Sequence, residues 1–164
     1  MPVKSLLSVT MRKWLQKSIE SEFHASQLYK HIANQLQRLG YFGSQKFYLA
    51  ESADELTHYQ KIVDFMNDMG DVASIPDVSG IDDEIKDIED ALNVSYQTEL
   101  DLFEQYKDFY EKAEDEDVAV AQFLLQFIEI QRLAVGEYGD LISKYDVAKE
   151  TKEILFFDKS MGKL

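Results

Sequence analysis

The feature that most constrains this sequence is a set of four long segments in which apolar residues recur with helical spacing. The segments cover roughly residues 6–39, 44–69, 82–113 and 118–144, and each places an apolar stripe on one face of a helix. Two prolines and seven glycines in 164 residues leave few positions at which a helix must break. The pattern therefore predicts an all-α protein with four long helices.

The connections between these segments indicate how the helices are arranged. Gly40 ends the first segment, and the charged sequence EDED at residues 114–117 separates the third from the fourth, so both connections are short. The stretch GDVASIPDVSGIDD, which lies between the second and third segments, contains Pro76 and several turn-forming residues. Two short connections and one long one predict a four-helix bundle with a single crossover between helices 2 and 3.

The end of the chain predicts a fifth, short helix at about residues 151–160, within the sequence TKEILFFDKSMGKL. Its apolar cluster at residues 154–157 would be exposed on an isolated chain, so we expect this helix to pack against another copy of the protein. The length of the chain suits one sizeable core, and we expect a single domain over residues 1–164.

Composition excludes several kinds of site and partner. The chain has no cysteine, so the ligands of any metal must be oxygen and nitrogen atoms. The formal net charge is −14, from 31 acidic and 17 basic residues, which disfavours binding to nucleic acid and to anionic membranes. Neither an apolar run long enough to span a bilayer nor a signal peptide is evident, so we expect a cytoplasmic protein.

Carboxylates interrupt the apolar stripes of three helices at similar depth. The interrupting residues, with the one histidine that accompanies them, are Glu22 in helix 1, Glu51, Glu55 and His58 in helix 2, and Glu99 in helix 3. A buried carboxylate ionises at a high free-energy cost unless a positive charge compensates it, and these faces offer no lysine or arginine at matching depth. A single such glutamate would usually reach solvent at the helix edge, whereas three at one level favour a shared cation.

The spacing of Glu55 and His58 suits a metal site. The two side chains lie one turn apart on one helix face, so both can bind the same ion. Carboxylates combined with a single imidazole suit Fe²⁺ or Mn²⁺ better than ions that prefer thiolates. The E-x-x-H pattern alone is a weak signal, because many unrelated helices contain it.

Several stretches of the chain together resemble a known family. They are EFHASQLY in helix 1, LAESADELTHYQKIVDFMND in helix 2, Glu99 in helix 3, Gln131 in helix 4 and ILFFDK in the short fifth helix. This combination resembles the non-haem ferritins, whose ferritin-like fold is a four-helix bundle with a di-iron carboxylate site. The resemblance implies a ferroxidase that oxidises Fe²⁺ with dioxygen inside each subunit and stores ferric oxyhydroxide in a hollow homo-oligomer of 24 chains.

The resemblance also implies roles for individual residues. Glu22 and His58 would hold one iron and Glu99 the other. Glu55 would bridge the two ions, so that two irons per chain serve as cofactors and no haem is expected. Tyr29 would lie beside the site, donate a hydrogen bond to a carboxylate and act as an electron donor.

Helix 4 departs from the pattern of the usual bacterial ferritins. Ile130 and Ala134 stand where those proteins carry acidic residues of a third iron site, and the stretch is closer to the animal heavy-chain pattern. Gln131 matches a glutamine near the second iron, and two interpretations stay open, a ligand or an amide hydrogen-bonded within a polar core. The candidates for a different auxiliary or transfer site are Glu51, Asp54, Glu129 and Glu137.

Two other functions fit the same residues. One is a di-iron oxidase or electron-transfer protein that stores no mineral, and the other is a metal-independent interaction module whose buried acids provide specificity. Rubrerythrin and bacterioferritin sites use a second E-x-x-H on helix 4, and this helix contains no histidine. Met66 and Met69 match a haem ligand only by chance. His24 and His31 flank the Glu22 stripe and are expected at the surface.

Overall fold

The computed structural model describes residues 3–77 and 79–164. The helices in these ranges are α1 (Val9–Leu39), α2 (Phe42–Asp68), α3 (Ile88–Glu116), α4 (Val118–Glu150) and α5 (Ile154–Met161). In the bundle, α1 packs mainly against α2 and α3 mainly against α4, while α5 lies against α2 and α4. No strand occurs in the described ranges, and the predicted all-α bundle with one long crossover and a short fifth helix is confirmed.

Two helices begin later than predicted because a side chain caps the first turn. α1 begins at Val9, and the hydroxyl of Ser8 accepts a hydrogen bond from a backbone N–H of that turn at 3.1 Å. α3 begins at Ile88, six residues after the predicted start, because the carboxylate of Asp87 accepts a backbone N–H of its first turn at 2.9 Å. Residues 82–87 belong to the crossover.

The break between α3 and α4 is a single residue, so the predicted four-residue turn at 114–117 was wrong. Asp117 is extended, and its carboxylate accepts two N–H groups of the first turn of α4, at 3.0 and 3.2 Å. At its other end, α4 runs to Glu150 and not to residue 144, because Tyr145 and Ala148 continue its buried stripe. Smaller shifts move the start of α2 to residue 42 and that of α5 to residue 154.

Two glutamines of α1 hold the crossover in place. The side chain of Gln16 donates to the carbonyl oxygen of Ser74 at 2.8 Å and accepts from its N–H at 2.9 Å. Gln35 donates to the carbonyl oxygen of Asp83 at 2.7 Å and accepts from the N–H of Ile85 at 3.0 Å. These four bonds replace the backbone partners that an irregular segment lacks.

A buried carboxylate anchors α5 to the start of α2. Asp158 accepts hydrogen bonds from the N–H of Gly43 at 3.1 Å, and from the N–H and hydroxyl of Ser44 at 2.8 and 2.7 Å. It thereby caps α2, which has no capping side chain of its own. A Cβ atom at Gly43 would lie 1.9 Å from the carbonyl oxygen of Asp158, so only glycine permits this approach.

The apolar cluster of α5 is divided between core and surface. Phe157 is buried, and its ring meets that of Tyr145 edge-on at 5.3 Å. Leu155 and Phe156 are 73% and 70% exposed. Part of the cluster expected to contact another chain thus belongs to the chain's own core.

Within the described part of the chain, α4 is the one helix long and apolar enough to cross a membrane by length and composition. Core helices of bundles pass the same test, and α4 packs against α3 and carries Gln131 into the interior. Other apolar residues of α4 are exposed on the single chain, among them Leu125 at 51% and Leu133 at 56%.

Candidate metal site

Two carboxylates and one imidazole meet between α1 and α2, halfway along the bundle. Glu22, Glu55 and His58 each offer a ligand atom, and these atoms lie within 4.8 Å of one another. Nδ1 of His58 is 3.4 Å from Oε2 of Glu55 and 3.6 Å from Oε2 of Glu22. Both glutamates are buried and the histidine is partly buried. Such a group of oxygen and nitrogen atoms suits a divalent cation of the Fe²⁺ type.

A pair of small residues sets the register of α1 against α2. The hydroxyl of Ser26 donates to the carbonyl oxygen of Ser52 at 2.9 Å, and the hydroxyl of Ser52 donates to the carbonyl oxygen of Ser26 at 2.8 Å. Ser26 lies one turn after Glu22, and Ser52 lies one turn before Glu55. The reciprocal bonds therefore bring the two carboxylates to the same level.

Glu99 approaches the same level from α3 and is held by neutral donors. The hydroxyl of Tyr29 donates to Oε1 of Glu99, and Nε2 of Gln131 donates to Oε2 at 2.7 Å. All three side chains are buried. Burial raises the pKa of Glu99, and these two hydrogen bonds oppose the rise without cancelling it.

The two carboxylates beside His58 differ in their ionisation. Burial raises the pKa of Glu55 well above its ordinary value, and the charges of Glu22 and Glu99 add to the rise. Burial also opposes ionisation of Glu22, but interactions with His58, Glu55 and Tyr106 hold its pKa below the ordinary value. Without a metal, bound protons and the positive charge of the imidazole reduce the repulsion between these carboxylates, as a cation would otherwise do.

His58 is the positive partner of this group. Burial alone would lower the pKa of its imidazole, but the contacts with Glu22 and Glu55 outweigh burial and raise it to about 10. The imidazole is therefore protonated at neutral pH in the metal-free protein. A metal ion must displace this proton before it can bind Nδ1.

Tyr106 is a site residue that the sequence analysis missed. It lies on α3, is fully buried, and its hydroxyl donates to Oε1 of Glu22. The apolar stripe of helix 3 includes this tyrosine, which hides its polar role. The signal that would have found it is spacing, because Tyr106 follows Glu99 by seven residues as Tyr29 follows Glu22. Each tyrosine donates to the glutamate of the other helix.

Two oxygen atoms that face this region lack a hydrogen-bond partner among the described residues. They are Oε2 of Glu22 and Oε1 of Gln131, and both are buried. A buried polar atom without a partner costs about 1–3 kcal/mol. Metal ions, or water bound to them, would satisfy both atoms.

Comparison with known proteins identifies the fold that carries this site. Residues 12–147 match the family model of the ferritin-like domain. The chain belongs to the ferritin family. Among curated relatives of this ferritin-family chain, the probable bacterial non-heme ferritin-like protein of Haemophilus influenzae is 24% identical over 161 residues, covering 97% of this chain and 98% of the relative. The bacterial non-heme ferritin of Staphylococcus epidermidis is 27% identical over 127 residues, 77% of this chain and 76% of the relative.

Solved structures share the fold of this ferritin-family chain. The open pore ferritin from the archaeon Archaeoglobus fulgidus has a TM-score of 0.90 at 22% identity, covering 95% of this chain and 97% of that one. Chlorobium tepidum ferritin has a TM-score of 0.86 at 22% identity, covering 94% and 96%. The resemblance to ferritins is thus confirmed at the level of family and fold.

Three of the candidates for an auxiliary site, Glu51 and Asp54 on α2 and Glu137 on α4, lie near one another. Oε2 of Glu51 accepts a hydrogen bond from the hydroxyl of Tyr138 at 3.1 Å. Burial raises the pKa of Glu51 to about 7, and the charge of Glu137 contributes. The pKa of Glu137 is itself raised by partial burial and by the charge of Asp54, which is exposed. These three acids therefore influence one another electrostatically.

The other polar candidates lie outside this group. Glu129 forms an exposed ion pair with Arg132 at 2.7 Å, three residues along α4. His24 is exposed, as expected. His31 is partly buried, and its Nε2 lies 2.8 Å from the carbonyl oxygen of Asp83 in the crossover.

Proposed function

We propose that the chain is an iron-storage ferritin whose subunits oxidise Fe²⁺ with dioxygen. The observation that carries this proposal is the buried Glu22–Glu55–His58 group, faced by Glu99 across the core of a ferritin fold. A metal-independent bundle would have little reason to bury so many carboxylates at one level, because each opposes ionisation of the next. Iron is the substrate of this chemistry as well as the ion that the site holds.

The geometry supports different roles for the ligands. Glu22 and His58 would hold the first ion, and Glu99 the second. Glu55 would bridge the two, since its ionisation responds to the charges of both Glu22 and Glu99. Each Fe²⁺ then gives one electron to dioxygen, and the carboxylates stabilise the ferric products.

Gln131 would support the second ion. Its amide N–H group donates to Glu99, which fixes the orientation of that carboxylate. Its carbonyl oxygen lacks a partner among the described residues, so it is free to bind the second ion or a water molecule on it. Both interpretations of this glutamine from the sequence agree with its position beside Glu99.

Storage requires a container, and the surface of the chain supports assembly. The exposed apolar residues of α4 and α5 would be covered by neighbouring copies. A net charge of −14 per chain would attract Fe²⁺ to an assembled particle. By family resemblance we propose a cytoplasmic shell of 24 identical chains that encloses ferric oxyhydroxide.

One aerobic experiment separates this function from the two others that fit the sequence. Fe²⁺ is added well beyond two ions per chain, ferric absorbance is followed, and the particles are then sized and their iron measured. Rapid oxidation within a large, iron-filled particle supports the proposal. Oxidation by a monomer or dimer that retains no mineral would indicate a non-storing oxidase, and no oxidation at all would indicate a metal-independent module.

A matched pair of variants makes this experiment specific to the site. Glu22→Gln removes the charge of a buried ligand, whereas Glu104→Gln removes the same charge from an exposed position on α3. The first variant should oxidise Fe²⁺ much more slowly and the second at the wild-type rate. Equal rates in the two variants would place the chemistry elsewhere.

A further inference from the structure

Three tyrosine rings lie close together in the core beside Glu99. Tyr29, Tyr48 and Tyr138 are fully buried. The distances between ring centroids are 5.8 Å from Tyr29 to Tyr48, 6.3 Å from Tyr29 to Tyr138, and 6.5 Å from Tyr48 to Tyr138. Rings this close exchange electrons readily, so an oxidising equivalent that reaches one ring can reach a neighbouring ring that is able to lose its proton.

The hydrogen-bond partners of these tyrosines differ in basicity. Tyr29 donates to the carboxylate of Glu99, and Tyr138 donates to the carboxylate of Glu51 at 3.1 Å. Tyr48 is bonded to the hydroxyl of Ser95 at 2.9 Å, and a hydroxyl is a poor proton acceptor. Burial raises the pKa of all three phenols, so none ionises at neutral pH. Each ring can lose an electron only if its proton leaves at the same time, which only a carboxylate partner permits.

The hydroxyl of Tyr138 is bonded to a carboxylate, although a buried hydroxyl needs only a neutral partner. A buried phenol is satisfied by one neutral partner, as the bond from Tyr48 to Ser95 shows. Glu51 is instead a partly buried carboxylate, and burial opposes its ionisation. It also lies near the acids Glu137 and Asp54, which are exposed at the surface of the chain. This arrangement suits a group that receives a proton and passes it outward.

We propose that Tyr138, with Glu51 as its proton acceptor, is a second tyrosine electron donor to the dioxygen reduced at the iron site, beside Tyr29. The inference rests on the proposed function, since the oxidant is dioxygen at that site. Reduction of one dioxygen to two waters breaks the O–O bond and consumes four electrons and four protons. Two Fe²⁺ supply two electrons and become Fe³⁺. Tyr29 and Tyr138 each supply one electron and one proton and become phenoxyl radicals, and solvent supplies the other two protons.

The protons follow the hydrogen bonds in this scheme. The phenolic proton of Tyr29 passes to Glu99 and that of Tyr138 passes to Glu51, and both protons are then delivered to the reduced oxygen or to solvent. Each radical later regains one electron from a further Fe²⁺, which becomes Fe³⁺, and takes up one proton from solvent through its carboxylate. The tyrosines thereby allow full reduction of dioxygen when only two irons are bound, so little hydrogen peroxide escapes.

The experiment compares four variants after loading two Fe²⁺ per chain and mixing with dioxygen. Samples are frozen for electron paramagnetic resonance, with ring-deuterated tyrosine to identify tyrosyl signals, and released hydrogen peroxide is measured in parallel. Tyr138→Phe keeps the ring and removes the hydroxyl. Glu51→Gln keeps an oxygen that accepts the hydrogen bond but cannot take the proton. Tyr48→Phe and Tyr145→Phe are the controls, one within the group of three rings and one farther along α4.

The expected result is that Tyr138→Phe and Glu51→Gln lose about half of the tyrosyl signal and release severalfold more hydrogen peroxide than the wild type. Anaerobic Fe²⁺ binding should be unchanged in Tyr138→Phe, and the two controls should match the wild type in every measurement. Wild-type radical and peroxide yields in Tyr138→Phe and Glu51→Gln, with iron oxidation intact, would overturn this inference alone. An absence of iron oxidation in the wild type would overturn the proposed function together with it.

Discussion

The two halves of the proposed metal site differ in the groups that balance the negative charge of their carboxylates. On the side of α2, Glu22 and Glu55 face a protonated imidazole, a positive charge that an iron ion can replace. On the side of α4, Glu99 is balanced by neutral donors, the hydroxyl of Tyr29 and the amide of Gln131. The first half already has the charge pattern of an occupied cation site, so it should bind iron more tightly than the second.

The halves are otherwise built alike, which locates the source of the difference. Tyr106 of α3 donates to Glu22 of α1, and Tyr29 of α1 donates to Glu99 of α3. This reciprocal pairing gives both glutamates the same kind of support. The asymmetry therefore comes from α2 and α4, which contribute His58 and Gln131 at comparable places in the core.

Removing the residue that belongs to both halves should have the largest effect. Glu55→Ala deletes the proposed bridging ligand, so fast oxidation of Fe²⁺ should fall at least about 100-fold, beyond the 10–100-fold loss typical of an outer-sphere partner. Assembly should stay intact, because Glu55 contributes a ligand and not a packing surface. Stopped-flow absorbance measures the rate and sizing measures the assembly, with the exposed Glu111→Ala as control. An unchanged rate would show that the site is misplaced.

Removing a hydrogen bond that supports one half of the site should weaken iron binding at that half selectively. Tyr106→Phe deletes the hydroxyl that donates to Glu22, and a hydrogen bond to a charged group contributes about 1.5–3 kcal/mol, so affinity for the first iron should fall about tenfold or more. Anaerobic Fe²⁺ titration measures the change. Tyr110→Phe, four residues along α3 and only partly buried, serves as the control. Equal losses at both irons would contradict the separation of the halves.

Adding a carboxylate to the second half of the site should narrow the difference in iron affinity between the two halves. Gln131→Glu adds a carboxylate beside Glu99, so affinity for the second iron should rise severalfold while the first iron binds as before. The same titration measures this change. Gln126→Glu adds a charge to the exposed face of α4 and should alter neither affinity. Weaker binding of the second iron in Gln131→Glu would argue that the amide, and not the missing charge, supports the ion.

The smallest expected effect is a pH dependence of the metal-free protein. Burial raises the pKa of Glu55 and Glu99, so ionisation disfavours the folded state once the pH exceeds their ordinary value of 4.5. His58 stabilises the folded state fully below its ordinary pKa of 6.5, and this contribution is lost as the pH rises towards about 10. All three groups make the metal-free protein less stable as the pH rises.

Chemical denaturation with a chelator present, between pH 6.5 and about pH 10, checks this fall in stability with pH. The free energy of unfolding should fall more steeply in the wild type than in His58→Gln, by about 1 kcal/mol over the range after allowance for partial exposure of the histidine. His24→Gln is the exposed control and should follow the wild type. A steeper fall in His58→Gln than in the wild type would contradict the charge assigned to His58.

The fold and the buried residues of the candidate site were predictable from the sequence to different extents. Glu22, Glu55 and Glu99 stand out because each replaces an apolar residue at helical spacing. Tyr106 does not stand out, because a tyrosine fits an apolar stripe and its partner lies on another helix. The start of α3 was misplaced because one capping carboxylate, Asp87, decides it, and periodicity does not locate caps.

The partners within the core were also beyond sequence reasoning. Glu51 was placed on the right stripe, but its contact with Tyr138 joins α2 to α4 over 87 residues of sequence. Likewise, the apolar cluster of α5 was expected to pack against another copy of the chain, whereas Phe157 of this cluster lies in the chain's own core. Contacts between distant segments depend on the register of the helices, which Ser26 and Ser52 set and which no local pattern reveals.

The most direct test of the asymmetric site is an anaerobic Fe²⁺ binding isotherm, measured by calorimetry on the wild type, His58→Ala and Glu99→Gln. The wild type should bind two ions per chain with unequal affinity. His58→Ala should lose the tighter ion and Glu99→Gln the weaker one. Two ions of equal affinity in the wild type, or loss of the same ion in both variants, would contradict the account.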